Sequence, residues 1–450
     1  MRLIDRRRLQ ARLEHEERRF REAHPKALAL YERARRSLLA GVPMSWMTRW
    51  AGGFPLFVAE GKGARFTDVD GHRYLDLCLG DTGAMTGHAP DASVEAITAQ
   101  ARRGITFMLP TEDAVFVGEE LQRRFGLAYW QFALTATDAN RFALRLARQV
   151  TGRPWVLVMN GCYHGTVDET FITLENGVAR SRPDNTGPQV DPARTTRVIE
   201  FNDLPALESA LAAEDVACVL AEPAMTNIGI IHPDQGYHAA MRRITRRTGT
   251  LLIIDETHTL CCGPGGFTAA YGLEPDIVTM GKPLAAGVPA AVFGMSAAVA
   301  ERVLARTSIL NSDTNGLGGT LAANALSVAA MRATLERVLT AEAYARTIPL
   351  AERFTAGVEE VIRRYELPWN VTRLGCRAEY WFRDTPARNG SEAAAATDAD
   401  LDRYMHLASL NRGILLTPFH MMALVAPDVT EADIDLHTRV FEECVEALVG

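Results

Sequence analysis

Lys282 directly follows a short apolar segment, and its type and position suit a nucleophilic amine. Residues 276–280 have the pattern of a buried strand, and Gly281 lets the backbone approach a ligand closely. Burial at the end of such a strand lowers the pKa of a lysine and makes the neutral, nucleophilic amine accessible. Taken alone, the pattern fits a surface lysine at a strand end equally well. The 48 basic residues are otherwise arginines, apart from Lys26 in the N-terminal helical region and Lys62 in a predicted turn.

Asp255 is the second residue whose position suggests chemistry. The apolar residues 251–254 predict a strand that places this carboxylate at its carboxyl end, 27 residues before Lys282. A fixed carboxylate can hold a pyridine nitrogen protonated, which lets the ring accept electrons. A strand-end cap and a metal ligand are the alternatives, and His258 invites the second. We expect no metal site, because no further set of His, Cys and Asp residues has ligand spacing.

The elements that must position these residues follow an alternating pattern. Between about residues 110 and 310, short apolar segments alternate with helical ones, which predicts an α/β fold with a mostly parallel sheet. Ligands of such sheets bind beyond the carboxyl ends of the strands. The expected strands are residues 155–159, 217–221, 251–254, 276–280 and 290–293. The expected domains are residues 1–65 (an N-terminal helix and substrate loop, part of the small domain), 66–320 (a large domain) and 321–450 (a small α+β domain).

Two common phosphate-binding patterns do not fit these segments. A Walker loop ending at Lys282 would need a glycine where Asp276 stands and a hydroxyl residue where Pro283 stands. The glycines of residues 263–266 are out of register with the dinucleotide fingerprint, which argues against a nicotinamide-dependent oxidoreductase.

Residues 135–140, with the sequence TATDAN, lead into a helical pattern at residues 142–148. A helix N-terminus offers unpaired N–H donors and a favourable dipole to an anion, although a simple helix cap explains this segment equally well. Three further segments contain glycine together with polar residues: NGCYHG at 160–165, AEPAMTNIG at 221–229 and LGGTLAAN at 317–324.

Taken in order, these segments resemble those of class III (subgroup II) aminotransferases, which use pyridoxal 5'-phosphate (PLP), and in particular the glutamate-1-semialdehyde 2,1-aminomutase branch. The resemblance extends from about residue 41 to the C-terminus. It implies the PLP-dependent transferase fold of type I, with a large domain built on a mostly parallel sheet of the seven-stranded type and a small α+β domain. It also implies that Lys282 holds PLP as a Schiff base and then acts as general base.

The resemblance assigns further roles to individual residues. Asp255 holds the pyridine nitrogen, the ring of Tyr163 stacks on the pyridine, and Asn227 binds the phenolic oxygen. The remaining cofactor contacts that it implies are Thr135, Ala136, Thr137, His164, Glu222, Thr257 and Thr320. Ala136 and Thr257 depart from the family pattern, which has glycine and valine there, so we expect a slightly shifted phosphate loop and a more polar ring support. The segment around Thr320 reaches across a dimer interface in the family, which implies a homodimer with shared active sites.

The substrate pocket departs further from the family. The arginine of the aminomutases aligns near Met47, and the arginine of β-amino acid transaminases aligns near Ser45. Arg49 could replace them, or it could serve packing beside Trp50. The pocket that we expect is apolar and aromatic-walled, suited to a bulky amine or an aromatic β-amino acid, and side chains filling an interdomain core are the alternative. Its residues are Trp46, Met47, Arg49, Trp50, Phe419 and His420.

These observations favour an aminotransferase that moves an amino group from an amine or a β- or ω-amino acid to a ketone or keto acid. Asn227 favours the alternative, an intramolecular aminomutase, while Met47 argues against it. A racemase or epimerase and a PLP-binding dimer without turnover are weaker alternatives.

Composition adds the remaining expectations. The net charge of −7 gives no reason to expect nucleic acid binding, and the seven cysteines are expected as reduced thiols. The sequence shows neither a membrane-spanning apolar segment nor the apolar core of a signal peptide, so we expect a cytoplasmic protein with no membrane partner.

Overall fold

The computed structural model of the protein describes residues 4–306, 315–417 and 420–450. Its α-helices are α1 (Arg6–Ala23), α2 (Pro25–Ala34), α3 (Asp91–Ala101), α4 (Glu112–Phe125), α5 (Ala136–Thr151), α6 (Leu204–Leu211), α7 (Tyr237–Thr248), α8 (Gly266–Ala270), α9 (Ala297–Arg306), α10 (Ala325–Arg337), α11 (Ala341–Arg364), α12 (Gly390–Ala395), α13 (Ala399–Leu410) and α14 (Glu431–Val449). Its β-strands are β1 (Val58–Lys62), β2 (Arg65–Asp68), β3 (Arg73–Asp76), β4 (Tyr129–Ala133), β5 (Trp155–Met159), β6 (Ile172–Glu175), β7 (Val178–Ser181), β8 (Thr196–Ile199), β9 (Val216–Ala221), β10 (Leu251–Asp255), β11 (Ile277–Met280), β12 (Ala291–Met295), β13 (Asn370–Leu374), β14 (Arg377–Trp381), β15 (Ile414–Leu415) and β16 (Met422–Leu424).

The chain divides into two compact units. The terminal unit consists of the described residues of Met1–Pro90, Glu342–Pro386 and Ala396–Gly450, and the central unit of those of Asp91–Ala341 and Ala387–Ala395. These boundaries differ from those expected after residues 65 and 320. The reason is pairing between distant segments: β3 pairs with β15 in the terminal unit, and α10 packs against α3 and α4 in the central unit.

A seven-stranded sheet forms the core of the central unit, with the strand order β4-β12-β11-β10-β9-β5-β8. Strands β8, β5, β9, β10 and β11 run parallel, whereas β12 is antiparallel to both β11 and β4. All residues of β9, β10, β11 and β12 are buried. Continuous apolar strands of this kind are typical of a sheet that is covered on both faces. The mostly parallel α/β fold expected from the alternating pattern is therefore confirmed.

The register of β10 and β11 sets the geometry of one sheet edge. In this parallel pair, Asp255 lies opposite Thr279. His258 is three residues beyond Asp255, and Lys282 is three residues beyond Thr279. Because both strands end at the same edge, the segments that follow them meet there.

Helix α5 packs on this sheet through an apolar face and begins at the same edge. Thr135 is its N-cap, and its Oγ1 accepts a hydrogen bond from the backbone N–H of Asp138 at 3.2 Å. Gly152 ends the helix in a left-handed conformation that costs glycine little. The two caps fix where the helix starts, and therefore where its unpaired N–H groups lie.

The terminal unit contains two small antiparallel arrangements. β1, β2 and β3 form successive hairpins, as their turn residues predicted, and β15 adds to β3 in parallel. β13, β14 and β16 form a second sheet, and helices α1, α13 and α14 pack together. Helix α1 lies in this unit.

His24, Asp68 and His72 form a cluster in the terminal unit that residue spacing did not predict. Asp68 Oδ2 lies 3.5 Å from His24 Nε2 and 3.2 Å from His72 Nδ1, an arrangement that could hold a metal ion. Tyr74 contacts both His24 Nε2 (2.8 Å) and Asp68 Oδ2 (3.1 Å), and His24 Nδ1 contacts the carbonyl oxygen of Phe20 at 2.6 Å. These hydrogen bonds give the cluster a structural role, because they fix the end of α1 against the β2–β3 hairpin.

Two further expectations concern the chain as a whole. Across residues 4–306, 315–417 and 420–450, no helix is both long and apolar enough to cross a membrane. All seven cysteines lie within these ranges and none is in a disulfide. The cysteines are thiols, as expected from the sequence.

Candidate active site

Asp255 is the centre of a buried hydrogen-bond network at the carboxyl edge of the large sheet. Its Oδ2 accepts hydrogen bonds from His164 Nδ1 (2.9 Å) and Asn140 Nδ2 (2.8 Å). Its Oδ1 accepts one from the backbone N–H of Thr257 at 3.0 Å. Thr279 Oγ1 donates to Asn140 Oδ1 at 2.6 Å and so fixes the amide of Asn140 with its NH₂ toward Asp255. The carboxylate is thereby held in one orientation.

The same contacts set the charge of Asp255. Burial alone would raise the pKa of its carboxyl group, but the hydrogen bond and positive charge of His164, with the donors on Thr257 and Asn140, lower that pKa below its usual range. Burial would lower the pKa of His164, yet Cys162 and Asp255 raise it. Asp255 is therefore ionised at neutral pH and can hold a proton on a bound nitrogen base.

Lys282 begins a 3-10 helix, Lys282–Ala285, and only Gly281 separates it from the end of β11. Its φ of +47° is in the left-handed region, which side-chain-bearing residues seldom adopt. Its Nζ lies 2.7 Å from Nε2 of the buried His258. The structure thus holds the amine at the same edge as Asp255, in contact with a titratable ring.

The N-terminus of α5 lies against the residues that flank Lys282 and His164. A Cβ on Gly281 would be 3.1 Å from both Cβ and N of Ala136, and a Cβ on Gly165 would be 2.1 Å from Thr137 Oγ1. Thr137 Oγ1 also accepts a hydrogen bond from the backbone N–H of Thr166 at 3.0 Å. The two glycines therefore permit the close approach of the predicted phosphate loop to the lysine segment.

We expect Gly281→Ala to weaken cofactor binding by roughly tenfold or more, because overpacking of this size costs about 1–3 kcal/mol. The added methyl would press on Ala136 and shift either α5 or Lys282. Fluorescence titration of the cofactor-free protein with PLP measures the effect. Adding Ala136→Gly to the variant should recover part of the affinity, since it removes one of the two contacts. Gly118→Ala is the control, because a Cβ there meets nothing within 4 Å; equal affinities in all variants would contradict the expectation.

Tyr163 and Asn227 occupy the loops that follow β5 and β9. Tyr163 is 39% exposed, and its ring makes an edge contact with Phe171 at a centroid distance of 6.5 Å. Asn227 Nδ2 donates to the carbonyl oxygen of Gly161 at 3.2 Å, which links the two loops. The structure therefore brings the predicted ring-stacking residue and the predicted phenol-binding residue into neighbouring loops at the carboxyl edge.

Buried polar atoms at this edge test whether the site fits an anionic, hydrogen-bonding ring compound. His164 Nε2, Glu222 Oε1 and Thr257 Oγ1 are buried without a hydrogen-bond partner within the described part of the chain. Unpaired buried polar groups are costly, and they indicate a missing partner. Together with the ionised Asp255, the Lys282 amine and the N-terminus of α5, they fit a cofactor that carries a pyridine nitrogen, a carbonyl group and a phosphate.

Glu222 gives the site a pH-dependent effect on stability. Burial raises the pKa of its carboxyl group from 4.5 to about 7, against the opposing effects of His164 and Thr226. Because the pKa is raised in the folded protein, protonated Glu222 contributes its full stabilisation below about pH 4.5. This contribution is lost as the pH rises through about 7. A shift of this size corresponds to about 3 kcal/mol.

We therefore expect the unfolding free energy of Glu222→Gln, relative to that of the unmodified chain, to increase by up to about 3 kcal/mol when the pH rises from 5 to 8. Urea unfolding of the cofactor-free protein at the two pH values measures the difference. The exposed Glu119→Gln variant serves as control. A stability difference between Glu222→Gln and the unmodified chain that is the same at both pH values would count against the raised pKa.

The residues predicted to line the substrate pocket lie in the terminal unit. Trp46, Met47 and Arg49 belong to a 3-10 helix, Ser45–Arg49, in which Trp46 is 44% exposed. The ring of Trp50, next in the chain, lies 5.4 Å from that of His406. His420 Nδ1 lies 2.7 Å from Glu379 Oε1, and although burial opposes it, the carboxylate raises the pKa of His420. Phe419 lies outside the described residues.

Thr320 lies on an exposed part of the central unit. The neighbouring Leu321 is 51% exposed, and the segment Ile105 to Leu109 carries further exposed apolar side chains, among them Met108 at 80%. The backbone N–H of Ala325 donates to the carbonyl oxygen of Ile105 at 2.9 Å, so the two segments adjoin. Thr320 thus lies in a segment that adjoins several exposed apolar side chains.

Sequence analysis missed two members of the Asp255 network, Asn140 and Thr279. Both are fully buried polar residues in otherwise apolar segments. That signal was present in the sequence, because Asn140 falls on the apolar face of α5 and Thr279 interrupts an apolar strand. Only the strand register, which places Thr279 opposite Asp255, and the packing of α5, which brings Asn140 to Asp255, show that they meet there.

The parallel sheet, the lysine and aspartate at its carboxyl edge, and the helix N-terminus beside them define a PLP-dependent enzyme of fold type I. The Aminotransferase class-III family matches residues 46–445, and the chain belongs to this family.

Known proteins resemble the chain along nearly its whole length. A glutamate-1-semialdehyde 2,1-aminomutase from Chloroflexus aggregans is 34% identical over 414 residues, which cover 89% of this chain and 92% of that protein. The crystal structure of a glutamate-1-semialdehyde-aminomutase from Pseudomonas aeruginosa PAO1 is 49% identical, covers 99% of both chains and has a TM-score of 0.97; its lysine-to-alanine variant is known in complex with PMP. An omega-transaminase from Sphaerobacter thermophilus is 28% identical, with a TM-score of 0.87, and covers 94% of this chain and 98% of that one.

Proposed function

We propose that the protein is an aminomutase-type enzyme that moves an amino group between adjacent carbons of one amino-aldehyde substrate. The observation that carries this proposal is the 34% identity to an aminomutase over 89% of the chain, together with the 49% identity of the Pseudomonas aeruginosa structure. Asn227, in the loop after β9, adds support because the resemblance relates its segment to the aminomutase branch.

The residues of the central unit suit this reaction. When bound, PLP supplies a reactive carbonyl carbon and a ring that accepts electrons. Lys282 would hold the cofactor through that carbonyl carbon, and its amine would move a proton at Nζ. Asp255 holds the proton of the ring nitrogen, because its carboxylate is ionised and fixed by His164 and Asn140.

Other residues hold and orient the cofactor. Thr135, Ala136 and Thr137 at the start of α5 would bind the phosphate through N–H and hydroxyl donors. Tyr163 would pack on one face of the ring and Thr257 on the other, while Asn227 would donate to its phenolic oxygen. The unpartnered atoms of His164, Glu222 and Thr257 offer further hydrogen bonds.

We also propose that the active form is a homodimer in which Thr320 of one protomer binds the phosphate at the partner's site. The exposed apolar side chains at Leu321 and in the adjoining Ile105 to Leu109 segment support this proposal, since pairing would remove them from water. Sedimentation equilibrium should show a dimer. The Thr320→Ala variant should bind the cofactor more weakly and should remain a dimer. A monomer with full activity would contradict the proposal.

An aminotransferase with two separate substrates is the second candidate. It is favoured by Met47, which stands where the aminomutase arginine aligns, and by the similarity to the omega-transaminase. In this case Trp46, Met47, Trp50, Phe419 and His420 would form the apolar substrate pocket, with Arg49 as the residue that could bind a carboxylate.

One experiment separates the two candidates. The enzyme in its PMP form is given glutamate 1-semialdehyde alone, and the product is followed by mass spectrometry. Isomerisation without any second substrate supports the aminomutase. Amino transfer that requires a separate amine donor, with an aromatic β-amino acid among the donors tried, supports the aminotransferase. A protein that carries PLP and catalyses neither reaction contradicts both.

A further inference from the structure

His258 is the buried titratable ring that contacts the nucleophilic amine, and the catalytic roles assigned above do not use it. Its Nε2 lies 2.7 Å from Lys282 Nζ, and only 9% of the residue is exposed. The contact follows from the register of β10 and β11, which places the third residue after Asp255 beside the third residue after Thr279. His258 is therefore held at Lys282 by the fold.

Counting protons shows what this contact can do. A protonated lysine has three N–H donors and no acceptor, so at 2.7 Å its ammonium group must donate to a neutral imidazole nitrogen. If both groups were protonated, two positive charges would face each other with no hydrogen bond between them. The pair therefore holds one proton well and a second one poorly.

Neighbouring carboxylates in the same turn are engaged elsewhere. Asp255 accepts hydrogen bonds from His164, Asn140 and Thr257, as described above. Glu256, whose pKa is raised by burial, accepts backbone hydrogen bonds from Phe267 (3.0 Å) and Thr268 (2.5 Å). Glu222, His164, Cys162 and Tyr163 are further titratable groups at this edge, and the raised pKa of Glu222 leaves it partly protonated near pH 7.

We propose that His258 is a positioning residue that accepts a hydrogen bond from the Lys282 ammonium group and aims it during proton transfer. The proposal rests on the proposed function, in which Lys282 would take a proton from a substrate carbon and bound PLP would accept the electron pair of the broken C–H bond. The Nζ atom would then carry three hydrogens. One of them forms the hydrogen bond to His258, and another is available for transfer to the carbon that receives the proton. His258 itself stays neutral throughout.

The first test uses the small number of lysines. Cofactor-free protein labelled with [ζ-¹⁵N]lysine gives signals from Lys26, Lys62 and Lys282 alone, and Lys26→Arg and Lys62→Arg assign the other two. We expect the ¹⁵N signal of Lys282 Nζ to change position in His258→Leu, because the ammonium group loses its acceptor. His258→Gln, which keeps an acceptor oxygen, should restore most of the shift. The exposed His15→Leu is the control. An identical Nζ signal of Lys282 in all four proteins would overturn the contact.

The second test is kinetic. His258→Leu should lower kcat roughly 10- to 100-fold with less than about threefold change in KM, and His258→Gln should recover much of kcat. A change in KM with unchanged kcat would overturn the positioning role. Equal losses of kcat in the leucine and glutamine variants would overturn it as well. The two tests separate the claims. If the Lys282 signal changes in His258→Leu but the protein transfers no amino group, the contact is supported and the proposed function is contradicted. Full kcat in His258→Leu removes the positioning role and leaves the proposed function standing.

Discussion

Replacing Lys282 by alanine is expected to lower kcat for amino transfer by at least about 10³-fold, because the variant loses both the carbonyl-binding amine and the general base. The variant should still bind the cofactor noncovalently, since Asp255, the α5 N-terminus and the ring contacts remain. Steady-state kinetics and equilibrium dialysis with PMP measure the two effects.

Two further lysine variants make this test specific. Lys282→Arg keeps a positive charge but is a poor nucleophile, so it should be as inactive as the alanine variant. Lys26→Ala removes an exposed lysine of α2 and should retain full activity. Turnover by Lys282→Ala within tenfold of the unmodified chain would rule out Lys282 as the catalytic amine.

Replacing Asp255 by asparagine should give the second largest loss, roughly 10²- to 10³-fold in kcat. The substitution keeps the shape of the side chain but removes the negative charge that pairs with His164. A loss of this size corresponds to about 3–4 kcal/mol of transition-state stabilisation. The neutral amide also cannot hold the proton of the ring nitrogen. Rapid-kinetic measurement of the first proton transfer checks this directly.

Asp255→Asn needs a control for general damage to the protein. The exposed Asp184→Asn variant should behave as the unmodified chain. Circular dichroism and a PLP-binding titration show whether the Asp255 variant still folds and still binds the cofactor. A folded, cofactor-saturated Asp255→Asn protein with unchanged kcat would show that the carboxylate does not assist the reaction.

Much of the large sheet could be predicted because buried parallel strands are continuous apolar segments. The strand predicted at residues 155–159 coincides with β5, and those around Leu251 and Ile277 differ from β10 and β11 by one residue. The apolar segments around Leu251 and Ile277 are followed by charged residues, Asp255 and, one position after Gly281, Lys282. These two residues therefore stand out in the sequence. The local pattern therefore singled out both positions, whereas their roles followed only from the resemblance to class III aminotransferases.

The partners of these residues could not be predicted in the same way. Asn140 reaches Asp255 across 115 positions of sequence, and His258 reaches Lys282 only through the pairing of β10 with β11. The unit boundaries depend likewise on β3 pairing with β15. Such contacts are set by strand register and helix packing, which a single sequence does not show.

Borohydride reduction of the PLP-loaded protein, followed by peptide mass spectrometry, tests the central claim most directly. Reduction makes the bond between the cofactor and its lysine permanent, and the chain offers only three lysines as sites. We predict one cofactor remnant per chain, on the peptide that contains Lys282. A remnant on Lys26 or Lys62 instead, or a protein that takes up no cofactor, would contradict the assignment of the active site.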